Sequence, residues 1–289
     1  MIEIKKNIYW VPGKNQSRLP YCGCLYVKGK DLRLLIDAGM GQANMEPCLK
    51  EGVDLVILSH CHIDHRLTLA RFPQFPVWCH EIETAYLEDR RLFLTGIGLL
   101  RGGHDYDSLF KGFQIQEFSI QRNLVDGERI DLGGISLQVL HTPGHTPGHL
   151  SFYISESELL FAADINLNAF GPFYGHDFSD IDDFIWSIRR LKALPAQTVI
   201  SSHAGTFHDH LAERFTAYEN IIYRRDQSLL QHLDRPRPFS SFLGKNLIYP
   251  RYLKPEALNK WFEQVHLEKQ LKRLIEMGKV KEKDGLYCQ

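Results

Sequence analysis

His60-Cys61-His62-Ile63-Asp64-His65 follows directly on the apolar run Val53 to Leu58 and on Ser59. Such a run, closed by polar residues, reads as a strand buried on both faces. In the extended chain at its end, residues two apart point the same way, so His60 and His62 can grip one ion together. If the chain then turns into a helix, Asp64 and His65 swing to another direction, and two ligand sets result. Imidazole nitrogen and carboxylate oxygen suit zinc, and also iron or manganese. Cys61 lies between ligands but alternates away from them and reads as structural.

Further along, His141-Thr142-Pro143-Gly144-His145-Thr146-Pro147-Gly148-His149 follows the run Ile135 to Leu140. Its Pro-Gly turns reverse the chain and present His145 at the tip. His141 and His149 flank that tip and read as strand residues or supports. Asp164 follows the run Leu159 to Ala163, which pairs with Leu150 to Ile154 as a hairpin. His203 follows Thr198 to Ile200, and Leu32 to Ile36 ends at Asp37. The candidate ligands thus collect at strand ends, where a rigid sheet positions loops. Ile181 to Leu194 has apolar residues at helical spacing, with Asp180 to cap it and Pro195 to end it. The body is therefore mixed α/β. Tyr86 to Phe113 shows no clean period and reads as a helix-and-loop insertion that can wall a pocket. His80, His104, His208 and His210 belong to no motif.

The tail follows different rules. Leu211 to Leu233 is a helical pattern broken by Pro236 and Pro238, and Trp261 to Met277 is a second helix stopped by Gly278. Val280 to Tyr287 folds back around Lys283-Asp284-Gly285, a hairpin turn signal. Helices followed by a small hairpin suggest a winged-helix-like module, with domains at 1–213 and 214–289.

The 289 residues are 44% hydrophobic and 24% charged, an ordinary globular composition that excludes disordered, collagen-like and coiled-coil classes. A net charge of −1 argues against a globally basic nucleic-acid binder. Residues 211–289 nonetheless hold 15 Lys/Arg against 10 Asp/Glu, so the tail is mildly basic and the body mildly acidic. No apolar run reaches the roughly 18 residues of a membrane span, and Met1 to Val11 lacks the apolar core of a signal peptide. Six scattered cysteines do not make a disulfide scaffold, and the expected compartment is a reducing cytoplasm. Cys22-Gly23-Cys24 reads either as strand-associated thiols or as a metal or redox pair.

Taken together, the His-x-His-x-Asp-His motif, the Thr-Pro-Gly-His-Thr loop, the later Asp164 and the final His203 resemble the metallo-β-lactamase superfamily over roughly residues 5–210. The resemblance implies an αβ/βα four-layer sandwich with two divalent metal ions at one edge, zinc foremost. It would place His60, His62 and His145 on the first ion, Asp64, His65 and His203 on the second, and Asp164 between them. Asp37 and Ser59 match positions that orient the ligands. A hydroxide bridging the ions would attack a thioester, ester or lactone carbonyl, with Asp64 orienting it or taking its proton. The metals' excess positive charge would favour a small anionic substrate.

Hydroxyacylglutathione hydrolases are one similar branch. An endoribonuclease-like branch with a winged-helix-like tail is the alternative, making RNA or another phosphodiester the substrate. Only 39 positions separate Asp164 from His203, too few for the large insertion of RNA-processing relatives. An iron-dependent persulfide dioxygenase and a non-catalytic sensor are minor alternatives. Arg66 stands where many relatives carry small residues; it either meets an anionic group or is solvated. Tyr174 and His176, in a loop soon after Asp164, either touch substrate or pack. The tail makes a homodimer plausible.

Overall fold

The computed structural model describes residues 1–103, 115–251 and 256–289. His104 and the end of the Tyr86 to Phe113 stretch lie outside the described residues.

The first sheet has seven strands in chain order: β1 (Ile2–Lys5), β2 (Ile8–Val11), β3 (Cys24–Lys28), β4 (Arg33–Ile36), β5 (Leu55–Ile57), β6 (Val77–His80) and β7 (Arg122–Leu124). It is antiparallel from β1 to β4 and parallel from β4 to β7. The second contains β8 (Arg129–Asp131), β9 (Ser136–His141), β10 (Leu150–Ile154), β11 (Leu159–Phe161), β12 (Thr198–Ser201) and β13 (Gly205–Phe207), in the order β13-β12-β11-β10-β9-β8. The hairpin expected between β10 and β11 is present, with Phe152 opposite Phe161.

Side-chain alternation explains why the two sheets stack. Leu25, Val27, Leu34, Ile36 and Ile57 from the first sheet meet Leu137, Val139, Phe152 and Phe161 from the second in one buried cluster. Their neighbours one residue along point outward. Tyr26, Leu35 and Val56 pack beneath Met45 and Cys48 of α1 (Gln42–Glu51). Further along lie α2 (Ile63–Arg66), α3 (Glu81–Glu88) and α4 (Arg90–Gly96). On the second sheet, Leu140, Leu160 and Val199 pack beneath Phe184, Ile188 and Leu191 of α5 (Ile181–Lys192) and beneath Phe215 and Ile222 of α6 (Leu211–Gln231). Both sheets are thus apolar on both faces, and each such side chain contributes roughly 1.5–3 kcal/mol by burial. The result is the expected four-layer α/β sandwich. Asp180 caps α5 by accepting hydrogen bonds from the Asp182 and Asp183 amides, both at 2.9 Å.

The tail contains the rest of α6, then β14 (Arg237–Pro238), α7 (Glu256–Glu276), β15 (Lys281–Lys283) and β16 (Leu286–Cys288). The junction expected at 213/214 falls in the first turn of α6. Asp284 and Gly285 both have positive φ, as a tight hairpin turn requires. Both long helices join the tail to the body. α6 gives Phe215 and Tyr218 to the second sheet's cover and Leu229 to the tail's cluster. α7 gives Trp261 and Val265 to the first sheet's cover and Leu271 and Leu274 to the tail. Among the described residues, no helix is long and apolar enough to cross a membrane.

Candidate metal centre

β5 ends at Ile57, and α2 begins at Ile63 after an extended His62; between them the chain bends at Ser59, His60 and Cys61 rather than running on as the straight segment expected from the sequence. His60 Nε2 and His145 Nε2 each lie 2.9 Å from His62 Nδ1. His145 arrives on the loop between β9 and β10. Gly144 is indispensable there: its φ is +121°, and a Cβ would run into the Phe184 backbone. A second group forms beside the first. His203 Nε2 is 3.2 Å from Asp64 Oδ2, and His65 Nε2 is 3.8 Å from the same oxygen. Asp164 belongs to both groups. Its Oδ2 faces His145 Nε2 at 3.2 Å, while its Oδ1 faces His65 Nε2 at 3.2 Å and His203 Nε2 at 3.4 Å.

The opposite nitrogens of His60, His65, His145 and His203 are held by their surroundings, whereas His62 Nε2 is buried with no hydrogen-bond partner among the described residues. Asp37 accepts from the Ser59 amide and hydroxyl, each at 2.8 Å, and pairs with His65 Nδ1 at 2.8 Å. Because the Ser59 hydroxyl proton goes to Asp37, Ser59 Oγ accepts from His60 Nδ1 at 2.9 Å. His145 Nδ1 donates to the Phe173 carbonyl at 3.0 Å, and His203 Nδ1 to the Ser17 carbonyl at 2.6 Å. Ser17 ends a turn, with Asn15 and Gln16, in which all three residues are left-handed. Such residues cost of order 1–3 kcal/mol each, which the surrounding packing must offset.

The donor set fits divalent metal ions. Burial, then neighbouring imidazoles, hold His60 and His62 well below the ordinary histidine value, so both are neutral. Burial alone would raise Asp164, but His203 and His65 pull its carboxyl well below the usual range. Burial likewise opposes charge on His203, yet Asp164 and Asp64 push it up to about 10. The carboxylates therefore attract positive charge to this point, and three imidazole nitrogens within 2.9 Å contacts can share a cation better than they share protons.

The remaining sequence candidates are placed differently. His176 packs edge-on to His62, ring centres 4.6 Å apart, and against Phe173 and Phe262. Tyr174 has no exposed surface; its hydroxyl donates to Gln270 at 2.7 Å, and its amide to His266 Nε2 at 3.2 Å, both on α7. Arg66 is buried rather than solvated; it lies over the Phe93 and Phe118 rings and donates to the Gln116 carbonyl. Cys22 and Cys24 are free, buried thiols 3.7 Å apart. Burial pushes the Cys22 thiol well up, so it is unreactive, although it lies beside Asp37 and His65. His149 supports the bridge by accepting from the Asp164 amide at 3.2 Å.

Three participants escaped the sequence reading: Ser17, Asn166 and Glu83. Asn166 Oδ1 accepts from the His203 amide at 2.9 Å. Its position two residues after Asp164 was the available signal. A main-chain carbonyl such as that of Ser17 leaves none.

The chain is 39% identical over 82 residues to a hydroxyacylglutathione hydrolase of Rhodospirillum rubrum, covering 28% of this chain and 31% of that one. It is 24% identical over 209 residues to an atrochrysone carboxyl ACP thioesterase of Aspergillus fumigatus, covering 68% and 55%. The chain thus spans about a third to just over half of these relatives' lengths. The crystal structure of a metallo-beta-lactamase family protein from Thermus thermophilus superposes with a TM-score of 0.80 over 99% of this chain and 100% of that one, at 23% identity, so the fold is what the two share. The family model for the metallo-beta-lactamase superfamily matches residues 19–203, which hold every candidate ligand of both groups, and the chain belongs to that superfamily.

Proposed function

We propose that this protein is a hydrolase of thioesters or esters, lactones included, working with two divalent metal ions, zinc foremost. One observation carries the reading: two ligand groups share Asp164, with one carboxylate oxygen turned to each. Ions bound there would supply Lewis acidity and lower the pKa of water to about 7. Asp64 is the side chain placed to orient an attacking water and to take its proton. Burial opposes its charge, but His65 and His203 keep its carboxyl below the ordinary value, so it is ionised and able to accept. His176 and Phe178, packed on the His62 ring, shield the first group from solvent. The similarity to a hydroxyacylglutathione hydrolase and to a thioesterase supports an acyl substrate.

The test is hydrolysis of an acyl-glutathione thioester by freshly purified protein of measured metal content, beside Asp64→Ala. Rapid turnover that a chelator abolishes, and that falls at least a thousandfold in the variant, is expected. A two-metal protein without thioester or ester turnover overturns the reading and points to a phosphodiester, the substrate that the basic balance of residues 211–289 would suit.

A further inference from the structure

Glu83 belongs to neither ligand group, yet it has no exposed surface. On α3 it sits one turn before Leu87, so helical spacing turns both inward while Glu81 and Glu88 stay exposed. Its carboxylate accepts three hydrogen bonds. Oε2 takes the Cys61 amide at 2.8 Å; Oε1 takes the Thr146 hydroxyl at 2.6 Å and the Gly148 amide at 2.7 Å. A Cβ on Gly148 would press on the Glu83 side chain, so the contact depends on glycine there.

The partners are what give this side chain a role. Cys61 separates His60 from His62, and Thr146 follows His145. One carboxylate therefore ties together the two loops that carry the three imidazoles of the first group. None of its three bonds reaches Asp64, His65 or His203. We propose that Glu83 is a positioning residue for the first metal ion: it sets the distance between the two loops that carry the three imidazoles. The inference rests on the two-metal reading above.

Substitution by glutamine tests it with little change of shape. A carboxylate meets all three donors with acceptors, whereas an amide must turn its NH2 toward the Cys61 amide or toward the Thr146 and Gly148 pair. Either way one loop loses its anchor beside an unsatisfied buried donor. The measurement is zinc affinity, by competition with a chromophoric chelator, in full-length His203→Ala, which retains all of the first group. Adding Glu83→Gln is expected to weaken that affinity 10- to 100-fold and to alter the absorption spectrum of the cobalt-substituted protein. In a His145→Ala background, which isolates the second group, Glu83→Gln is expected to change affinity less than about threefold. Leu87→Ala, on the same face of α3, controls for a merely structural effect and should move both affinities together. Unchanged first-group affinity, or equal losses in both backgrounds as in the Leu87 control, overturns the inference. A wild-type protein that takes up only one ion overturns the two-metal reading, and the inference with it.

Discussion

The two ligand groups stand side by side but are built from different materials. The first is three imidazoles on loops of both sheets, with His60, His62 and His145 buried and a carboxylate and a hydroxyl braced behind them. The second draws on Asp64 and on His203, whose side chain is 18% exposed and whose support is a main-chain carbonyl in a strained turn. The closed set is suited to holding an ion, and the set that reaches solvent through His203 is suited to exchanging one or to meeting substrate. Asp164 joins the two, so the contrast can be broken at the bridge or sharpened on either side.

The largest effect is expected at the bridge. Asp164→Ala removes an oxygen from each group at once; metal content should fall in both and turnover should drop at least a thousandfold, checked by elemental analysis beside the thioester assay. A smaller effect is expected on the second group alone. Asp37→Asn leaves Ser59 and His65 short of an acceptor, so zinc affinity should fall 10- to 100-fold in the second group and less in the first, which Asp37 reaches only through Ser59 and His60. Titration of single-group backgrounds separates the two.

The smallest effect concerns acid stability beneath the first group. His80 Nδ1 accepts from the Ile82 amide at the start of α3, the helix that carries Glu83. Burial, then stacking on His141, lowers the His80 pKa to about 4, with Glu81 and Asp126 opposing, against 6.5 for an ordinary histidine. The folded value is depressed, so the unfolded chain binds a proton that the folded one refuses. Stability is therefore full above pH 6.5 and is lost as pH falls through about 4. The urea midpoint should decline over that range, and decline less in His80→Asn, which keeps a capping oxygen. Equal slopes would remove His80 from the account.

Much of this arrangement was legible in the residues. Apolar runs such as Leu150 to Ile154 announced strands because both faces are covered, and their polar stops marked where ligands collect. Asp180 and Asp284-Gly285 signalled a helix start and a turn by local chemistry alone. What stayed hidden depends on contacts distant in sequence. Strands of three residues, such as β7 and β8, carry too little pattern to read. Glu83 looks like any surface glutamate of a helix until the loops around Cys61 and Thr146 close over it. The residues alone left open whether Tyr174 packs or faces substrate, because the Gln270 side chain that takes its hydroxyl lies far along the chain on α7.

The clamp supplied by α7 has a consequence for how the centre comes into being. The loop from Phe173 to Ser179 backs His145 through the Phe173 carbonyl and through Ser179 Oγ, which donates to the His145 carbonyl. That loop is itself tied to His266, Lys269 and Gln270. During synthesis every ligand through His203 leaves the ribosome before these three residues do. A nascent chain thus presents the candidate ligands while the prop behind His145 is still unmade, and α7, translated after all of them, is the element that locks the first group.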